Sequence, residues 1–351
     1  MSGARTRFHP LVVERVDLLT EDSAAITFRL PDGSAADFDF AAGQSLTVRR
    51  GDVRRSYSIC APVGAAPRIG VREVPGGAVS GWLVHQLRAG DVLEVAPPDG
   101  SFTPDPTRPG NHVLIAAGSG ITPMLSIAAS VLAADDSSTI TLFYGNRRSD
   151  TVMFADEVAD LKDAHPVRMR VVHVLSREPQ EVELFNGRLD GPRLTELLEL
   201  TVDVPAVDHW WLCGPFGMIT DAIEVLHAAG VPAERIHREL FWVGEDPPVE
   251  VTHVEAAVVD GAAVTVILDG RATTFRLPAG VAVLDGAQKV RPDLPFACKG
   301  GVCGTCRARL VAGEATMRRN YALEPAEVAA GQVLTCQTHP VSDAITVDFD
   351  V

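Results

Sequence analysis

Cys298-Lys299-Gly300-Gly301-Val302-Cys303-Gly304-Thr305-Cys306 is the stretch of sequence that decides the fold of this 351-residue chain. Three cysteines fall within it and a fourth, Cys336, follows after 29 intervening residues, whereas Cys60 and Cys213 stand alone. No apolar region typical of a secretory signal follows the first ten residues. Clustered cysteines without such a signal indicate a reducing, cytoplasmic setting and a metal site rather than disulfides.

The spacing of these four cysteines is typical of a plant-type [2Fe–2S] cluster. Two irons need four soft thiolate ligands, and Gly300, Gly301 and Gly304 keep side chains away while letting backbone N–H groups point at sulfur. A zinc site is the alternative, but zinc usually takes two CxxC-like pairs, whereas here three cysteines share one loop. The sequence therefore predicts one [2Fe–2S] cluster held by Cys298, Cys303, Cys306 and Cys336.

The residues before the cysteine loop predict a separate C-terminal α+β module at 254–351, preceded by a linker at 244–253. The linker is charged and proline-rich, which is typical of an extended connection. After it, the pattern predicts a hairpin around Asp269-Gly270 and a short helix at Val283–Lys289.

Two further modules precede the linker, and their patterns differ. At 1–107, short alternating segments such as Ala25–Leu30 and Val92–Ala96 predict a small antiparallel β-barrel. At 108–243, buried strands such as His112–Ala117 and Thr139–Tyr144 alternate with helical patterns, which predicts an α/β domain with a parallel sheet. The predicted fold class is therefore multidomain.

Charge and hydropathy argue against some classes of partner. The chain has 46 acidic and 31 basic side chains and a net charge of −15, which disfavours nucleic acid or an anionic membrane as its main partner. Val113–Ala134 contains no charged residue, but its central glycines and proline predict a strand, a turn and a helix rather than a membrane span.

Two turns of the α/β module have the composition of a dinucleotide site. Gly118-Ser119-Gly120-Ile121-Thr122-Pro123 follows the first strand, and its glycines would let a dinucleotide approach the backbone closely. Cys213-Gly214-Pro215 ends a later strand, so both turns would line one crevice at the carboxyl ends of the strands. Because the third glycine of the usual fingerprint is absent, a plain strand–helix turn is the alternative.

The barrel module contains a candidate flavin site. Arg55 and Tyr57 face the same side of a predicted strand, where an arginine can pair with a pyrophosphate and a tyrosine can pack against a flavin ring. Gly76-Gly77 and Ser80 follow, and with Ser80 as a helix N-cap this segment would suit phosphate. An ordinary amphipathic strand is the alternative.

In chain order these motifs resemble the ferredoxin–NADP reductase superfamily, and the C-terminal module resembles plant-type ferredoxin with its β-grasp fold. The cysteine loop, Asn320-Tyr321-Ala322-Leu323-Glu324-Pro325 and the run at 329–337 together resemble the reductase subunits of ring-1,2-phenylacetyl-CoA epoxidases, which are multicomponent oxygenases. The reductases of 3-ketosteroid 9α-hydroxylases share the domain order but match this loop less well.

The resemblance implies an NAD(P)H oxidoreductase that passes electrons through FAD and the [2Fe–2S] cluster to a di-iron oxygenase of phenylacetate catabolism. It implies that FAD is held by Arg55, Tyr57, Ser58, Gly77 and Ser80, with Phe241 near the flavin ring. It places the nicotinamide cofactor near Gly118, Gly120, Thr122 and Gly214, and the catalytic positions at Thr122, Cys213 and Glu239. In the family's usual segment a basic residue precedes the phenylalanine, whereas here Leu240 does.

Ser176-Arg177 favours NADPH over NADH. These residues end the third strand of the parallel sheet, where the second ribose of the cofactor is expected. A hydroxyl and a guanidinium suit a 2′-phosphate, and an acidic residue that would bind a free 2′-hydroxyl occurs only at Glu178.

The sequence also predicts a basic surface around the cluster loop that could bind the oxygenase. Cys298–Arg319 has a local charge of +4, because Glu314 alone opposes Lys299, Arg307, Arg309, Arg318 and Arg319. This excess predicts that the cluster end docks on an acidic face of the oxygenase, with a merely solvated basic face as the alternative.

Two functions of other classes stay open at this point. A self-sufficient oxygenase would need its own di-iron site, for which Glu224/His227 and Glu250/His253 are the available pairs. A simple ferredoxin-type carrier would hold the cluster without a flavin, and an absorbance spectrum would distinguish it from a flavoprotein.

Overall fold

A computed structural model describes residues 8–31, 33–51, 53–77, 79–105, 108–241, 261–268, 270–296, 298–323 and 325–350. The linker predicted at 244–253 and the pair Glu250/His253 lie outside these ranges. The described residues group into two compact units, one of 9–50 with 57–241 and one of 8 and 51–56 with 261–350.

An antiparallel six-stranded sheet forms the predicted barrel. In space its strands follow the order β4-β3-β6-β1-β2-β5, and their bounds are β1 (His9–Thr20), β2 (Ser23–Arg29), β3 (Ser45–Arg50), β4 (Val53–Ser58), β5 (Arg68–Arg72) and β6 (Val92–Val95). A short helix, α1 (Ser80–His85), follows β5. Leu11, Val13 and Phe28 are buried because alternate residues of a strand face the same side.

A parallel five-stranded sheet follows, as the alternating pattern predicts. Its spatial order is β11-β10-β7-β8-β9, with β7 (Asn111–Ala117), β8 (Thr139–Asn146), β9 (Met169–Leu175), β10 (His209–Gly214) and β11 (Ile236–Leu240). The helices are α2 (Ile121–Ala134), α3 (Ala155–Ala164), α4 (Gly191–Thr201) and α5 (Phe216–Ala228). The chain runs outward from β7 to one side and returns to β10 on the other, so the strand order switches between β7 and β10, where open α/β sheets bind ligands.

The uncharged stretch Val113–Ala134 is a strand, a glycine turn and a helix, as predicted. No helix in the part of the chain that the structure describes is both long and apolar enough to cross a membrane.

The barrel and the parallel sheet share one hydrophobic core. Ala25 and Phe102 of the barrel module pack in the same cluster as Leu114 and Trp211 of the sheet. Arg68 on β5 adds two hydrogen bonds to Glu157 on α3, at 2.7 and 2.9 Å. These contacts explain why both modules fall into a single compact unit.

The C-terminal module has the mixed sheet of a β-grasp domain. Its order is β13-β12-β18-β14-β16, beside a two-stranded β15-β17 sheet, with β12 (Ala262–Leu268), β13 (Arg271–Leu277), β14 (Arg307–Ala312), β15 (Ala315–Met317), β16 (Gln332–Leu334), β17 (Thr338–Pro340) and β18 (Ala344–Asp348). Two short helices, α6 (Val283–Ala287) and α7 (Pro325–Ala329), complete it. Strands β12 and β18 are parallel and the other pairs antiparallel. The predicted multidomain fold class is confirmed.

Candidate functional site

Ser58, Cys213 and Glu239, which come from three different strands, meet in the N-terminal unit. Cys213 on β10 and Glu239 on β11 are partners in the parallel ladder. Ser58, at the end of β4, donates its hydroxyl hydrogen to Glu239 Oε2 at 2.9 Å. The structure thus brings together three residues that the resemblance assigns to flavin binding or catalysis.

Burial sets the protonation of this group. Burial raises the pKa of Glu239 to about 7, and the hydrogen bond from Ser58 lowers it in part. Cys213 is fully buried, and burial, followed by the charge of Glu239, raises the pKa of its thiol well above the usual value. Glu239 can therefore exchange a proton near neutral pH, whereas Cys213 stays a neutral thiol.

The glycine turn after β7 lies directly against this group. A Cβ at Gly120 would lie 2.1 Å from the backbone oxygen of Cys213, so only glycine lets the two strand ends approach this closely. Gly118 has a φ of +54°, a left-handed conformation that favours glycine. A Cβ at Gly214 would lie 3.2 Å from the backbone nitrogen of Ala117, so β10 also approaches β7 closely at its end.

Thr122 is placed by the same turn. It is 1% exposed and donates its hydroxyl hydrogen to the Ser119 carbonyl at 3.0 Å. Its methyl group packs on Gly70 of β5, where a Cβ would lie 2.4 Å away. The three predicted catalytic positions, Thr122, Cys213 and Glu239, therefore lie around one edge of the parallel sheet.

Two residues beside the glycine turn were missed by sequence reasoning. Arg72 on β5 donates to the Thr151 carbonyl at 2.5 Å, and its Nη1 would lie 3.1 Å from a Cβ at Gly118. Tyr144 places its hydroxyl 3.1 Å from the Gly118 carbonyl. The available signal was an arginine at each end of an otherwise apolar strand, but nothing local indicated which turn Arg72 would reach.

The predicted flavin residues lie on β4 and in the turn before α1. Arg55 is exposed and Tyr57 partly buried on one side of β4, while Ser58 is buried on the other. A Cβ at Gly77 would lie 2.7 Å from Ser80 Oγ and 2.9 Å from the Val74 carbonyl, so this turn needs glycine. Phe241 directly follows β11 and packs, partly buried, against the shared core.

The predicted role of Ser80 as N-cap is wrong. Val79 occupies the N-cap position, and Ser80 is the first residue of α1. The buried Ser80 hydroxyl instead accepts the Val74 N–H at 3.0 Å, because the preceding turn folds back over it.

The candidate 2′-phosphate residues follow β9. The backbone N–H of Ser176 donates to the Asn146 carbonyl at 3.0 Å, and exposed Arg177 donates its own N–H to the Arg147 carbonyl at 2.8 Å. Glu178 accepts the backbone N–H of Ser149 at 2.8 Å, which lowers the pKa of its carboxyl group. The acidic neighbour is thus already engaged by protein groups.

Two pairs of thiols form the candidate metal centre. Cys298 lies in hydrogen-bond contact with Cys303, and Cys306 with Cys336. The Cys303 thiol and backbone N–H groups, including Gly300 N at 3.3 Å, lower the pKa of Cys298 to about 5. Two irons with two protein thiolates each require this paired arrangement. No three His, Cys, Asp or Glu side chains within the described ranges are grouped to hold a single metal ion.

The predicted charge excess around the cluster loop is smaller in three dimensions. Lys299 pairs with Asp285 at 2.8 Å and Arg307 with Glu327 at 2.9 Å. Both carboxylates lie outside 298–319 in sequence, so counting within that segment missed them. With them the local charge falls from +4 to +2.

The remaining candidate pair for a di-iron site is solvated. Glu224 and His227 both lie exposed on α5.

Comparisons with known proteins agree with this architecture. An oxidoreductase NAD-binding domain matches residues 114–224, and a 2Fe-2S iron-sulfur cluster binding domain matches residues 266–341. One subunit of the 1,2-phenylacetyl-CoA epoxidase of Escherichia coli (strain K12) is 40% identical over 98% of both chains. The ferredoxin reductase component of 3-ketosteroid-9-alpha-monooxygenase from Rhodococcus rhodochrous is 33% identical over 97% of this chain and 96% of that protein.

Solved structures share the fold. Phthalate dioxygenase reductase, described as a modular structure for electron transfer from pyridine nucleotides to [2Fe-2S], has a TM-score of 0.60 and 25% identity over 97% of this chain and 98% of its own. An intact type IV self-sufficient cytochrome P450 monooxygenase matches 97% of this chain with a TM-score of 0.69 and 24% identity, but the chain spans only 41% of that protein.

The fold, the paired thiols and these matches define a flavin- and iron–sulfur-dependent NAD(P)H oxidoreductase. The chain belongs to the family of oxygenase reductase components that includes the matched 1,2-phenylacetyl-CoA epoxidase protein. This membership replaces the hypothesis of a simple ferredoxin-type carrier.

Proposed function

We propose that this chain is the reductase of a phenylacetyl-CoA epoxidase and passes electrons from NADPH through FAD and the [2Fe–2S] cluster to the di-iron oxygenase in the cytoplasm. The redox part rests on one observation above all, the hydrogen bond of Ser58 to Glu239 beside Cys213 at the strand-order switch. The choice of oxygenase is supported by 40% identity to the epoxidase protein, against 33% to the ketosteroid reductase component. That second system is the alternative.

In this proposed function the chain comprises an FAD barrel at 1–107, an NAD(P) domain at 108–243, a linker at 244–253 and a cluster domain at 254–351. In it, FAD is held by Arg55, Tyr57, Ser58, Gly77, Ser80 and Phe241. When bound, the flavin accepts a hydride and releases electrons singly, which is chemistry that the protein orients rather than performs.

The residues around the switch point would hold and orient the nicotinamide. Gly118, Gly120 and Gly214 let the turns after β7 and β10 pack closely at the switch point, and Thr122 lies at the same edge. Buried Cys213 contributes shape without charge, whereas Glu239 holds or releases a proton near neutral pH. Ser176 and Arg177 would bind the 2′-phosphate. Cys298, Cys303, Cys306 and Cys336 would hold the cluster.

Reconstitution tests the choice of oxygenase. The purified protein, mixed with the oxygenase components of a phenylacetyl-CoA epoxidase, should support NADPH-dependent epoxidation. Mixed with the oxygenase component of a 3-ketosteroid 9α-hydroxylase, it should not support NADPH-dependent steroid hydroxylation. The reverse outcome would assign the chain to the steroid system.

A cysteine variant tests the order of electron flow. Cys306→Ser should lose iron, acid-labile sulfide and all oxygenase turnover, because one iron loses a thiolate. Reduction of the flavin by NADPH, followed with ferricyanide as acceptor, should persist. Cys60→Ser, a buried cysteine of the other unit, is the matched control and should keep the cluster. Loss of flavin reduction in Cys306→Ser would contradict separate redox modules.

A further inference from the structure

Gln337, the residue after Cys336, makes an unusual set of contacts in the cluster loop. Its side-chain nitrogen donates to the Lys299 carbonyl at 2.9 Å and lies 3.8 Å from Cys336 Sγ, within the range of an N–H···S hydrogen bond. Its backbone is fixed as well, since its N–H donates to the Leu334 carbonyl at 2.8 Å and its carbonyl accepts the Arg318 N–H at 2.9 Å.

The residue that Gln337 holds is in a strained conformation. Lys299 has a φ of +55°, which is unfavourable for a residue with a side chain. Its ammonium group is anchored by Asp285 at 2.8 Å and lies 5.0 Å from the Phe296 ring centroid. Because the carbonyl of Lys299 precedes the N–H of Gly300 that donates to Cys298, the Gln337 amide fixes the backbone that faces one thiol pair.

We propose that Gln337 is a positioning residue for the cluster. Its carboxamide links the strained turn at Lys299 to Cys336 and donates a hydrogen bond to the Cys336 sulfur. The inference rests on the proposed set of cysteine ligands. A donor at a cluster thiolate stabilises the more negative, reduced state, so it raises the reduction potential. Gln337 would therefore tune the last carrier of the chain as well as retain it.

Two substitutions remove the donors in different ways. Gln337→Leu keeps the approximate size without any hydrogen bond, and Gln337→Glu keeps the shape but replaces N–H donors with a negative charge. Gln288→Leu is the matched control, because among the described residues the Gln288 side chain makes no hydrogen bond. Lys299→Gly, alone and combined with Gln337→Leu, removes the strain, since glycine adopts positive φ readily.

Two readouts separate positioning from electrostatics. We expect a more negative cluster midpoint potential, measured by EPR-monitored redox titration, in Gln337→Leu and a larger shift in Gln337→Glu. In the presence of a chelator, the visible absorbance of the cluster should also decay at least about fivefold faster in Gln337→Leu than in the wild type. Adding Lys299→Gly should restore the lifetime but leave the potential shifted.

The outcomes decide between this inference and the proposed ligand set. A wild-type potential in Gln337→Leu, or in its Lys299→Gly combination, overturns the tuning role. If Gln337→Leu and its combination with Lys299→Gly both lose the cluster while Gln288→Leu keeps it, relief of strain does not restore the loop. That result would overturn the proposed positioning role of Gln337. Absence of a cluster from the wild-type protein would instead contradict the proposed function.

Discussion

Glu239 illustrates how position changes the chemistry of a single residue. An exposed glutamate is ionised at neutral pH, but burial raises the pKa of Glu239 to about 7, while the Ser58 hydroxyl acts in the opposite direction. A carboxylate at this edge would stabilise the positive charge that the nicotinamide ring gains as it loses hydride. Its ionisation would therefore favour flavin reduction.

The pH dependence of flavin reduction should follow this carboxyl group. In stopped-flow measurements with NADPH we expect the rate to rise with pH through about 7. Ser58→Ala should move the inflection to higher pH, because it removes the hydrogen bond that lowers the pKa of Glu239. Glu239→Gln should abolish the inflection, and a profile unchanged in that variant would remove Glu239 from this role.

Arg177 should govern the choice between the two nicotinamide cofactors. Arg177→Glu replaces a charge-assisted hydrogen bond to the 2′-phosphate with repulsion, so kcat/KM for NADPH should fall by roughly 30- to 100-fold while that for NADH changes little. Arg170→Glu, an exposed arginine near the start of β9, is the control and should alter neither. Equal losses for NADPH and NADH in Arg177→Glu would contradict the assignment.

At the scale of elements, the close approach of the turn after β7 to the end of β10 depends on one missing side chain. Gly120→Ala would force a Cβ to 2.1 Å from the Cys213 carbonyl oxygen. We expect the free energy of unfolding to fall by about 1–3 kcal/mol, as for other overpacked sites. Gly217→Ala on α5 is the matched control, because no atom of the described residues beyond its chain neighbours and its own helix backbone lies within 4 Å of its Cβ position.

Denaturant unfolding distinguishes these two glycines. Gly217→Ala should leave stability unchanged or raise it by up to about 1 kcal/mol, since alanine favours helix. If the Gly120→Ala protein were as stable as the wild type, the turn after β7 could move away from β10 without loss of stability. That result would contradict a site that depends on their close contact.

At the scale of the whole molecule, a stack of histidines should make the N-terminal unit sensitive to acid. The rings of His112 and His209 lie 5.1 Å apart, those of His209 and His237 5.4 Å, and those of His237 and Trp211 4.1 Å. Burial lowers the pKa of both His112 and His237 to about 4, with neighbouring Asp208 acting against this at His112. Both imidazoles are thus neutral in the folded protein near neutral pH.

The folded state therefore loses stability as pH falls. Below about pH 6.5 the histidines bind protons in the unfolded chain but stay neutral in the folded protein, so the free energy of unfolding decreases from about pH 6.5 towards pH 4. For buried His112 this decrease is on the order of 2 kcal/mol at pH 5. We expect Tm, followed by tryptophan fluorescence, to fall between about pH 7 and 5.

A histidine variant tests this source of acid sensitivity. His237→Phe preserves a ring against Trp211 and should reduce the fall in Tm on acidification, even if its Tm at neutral pH is lower. The exposed His227 on α5 provides the control His227→Gln, which should keep the wild-type fall. An undiminished fall in His237→Phe would place the acid sensitivity elsewhere.

The sequence by itself determined the modular architecture and the cysteine site. Cysteine spacing, the period of apolar residues and the glycines of a turn are properties of short contiguous stretches, and they reflect strands, helices and loops formed by local geometry. These local patterns predicted the three modules, the strand–turn–helix at Val113–Ala134 and the loop that carries the cluster cysteines.

Only the tertiary structure decided which distant side chains meet. The Ser58–Glu239 hydrogen bond joins residues 181 positions apart, and Asp285 and Glu327 neutralise charges that a count along the cysteine segment left unpaired. Such contacts depend on strand order and on the folding of one module over another, which periodicity does not specify. The pKa of Glu239 follows from the same cause, because burial is a property of the assembled protein and not of a sequence segment.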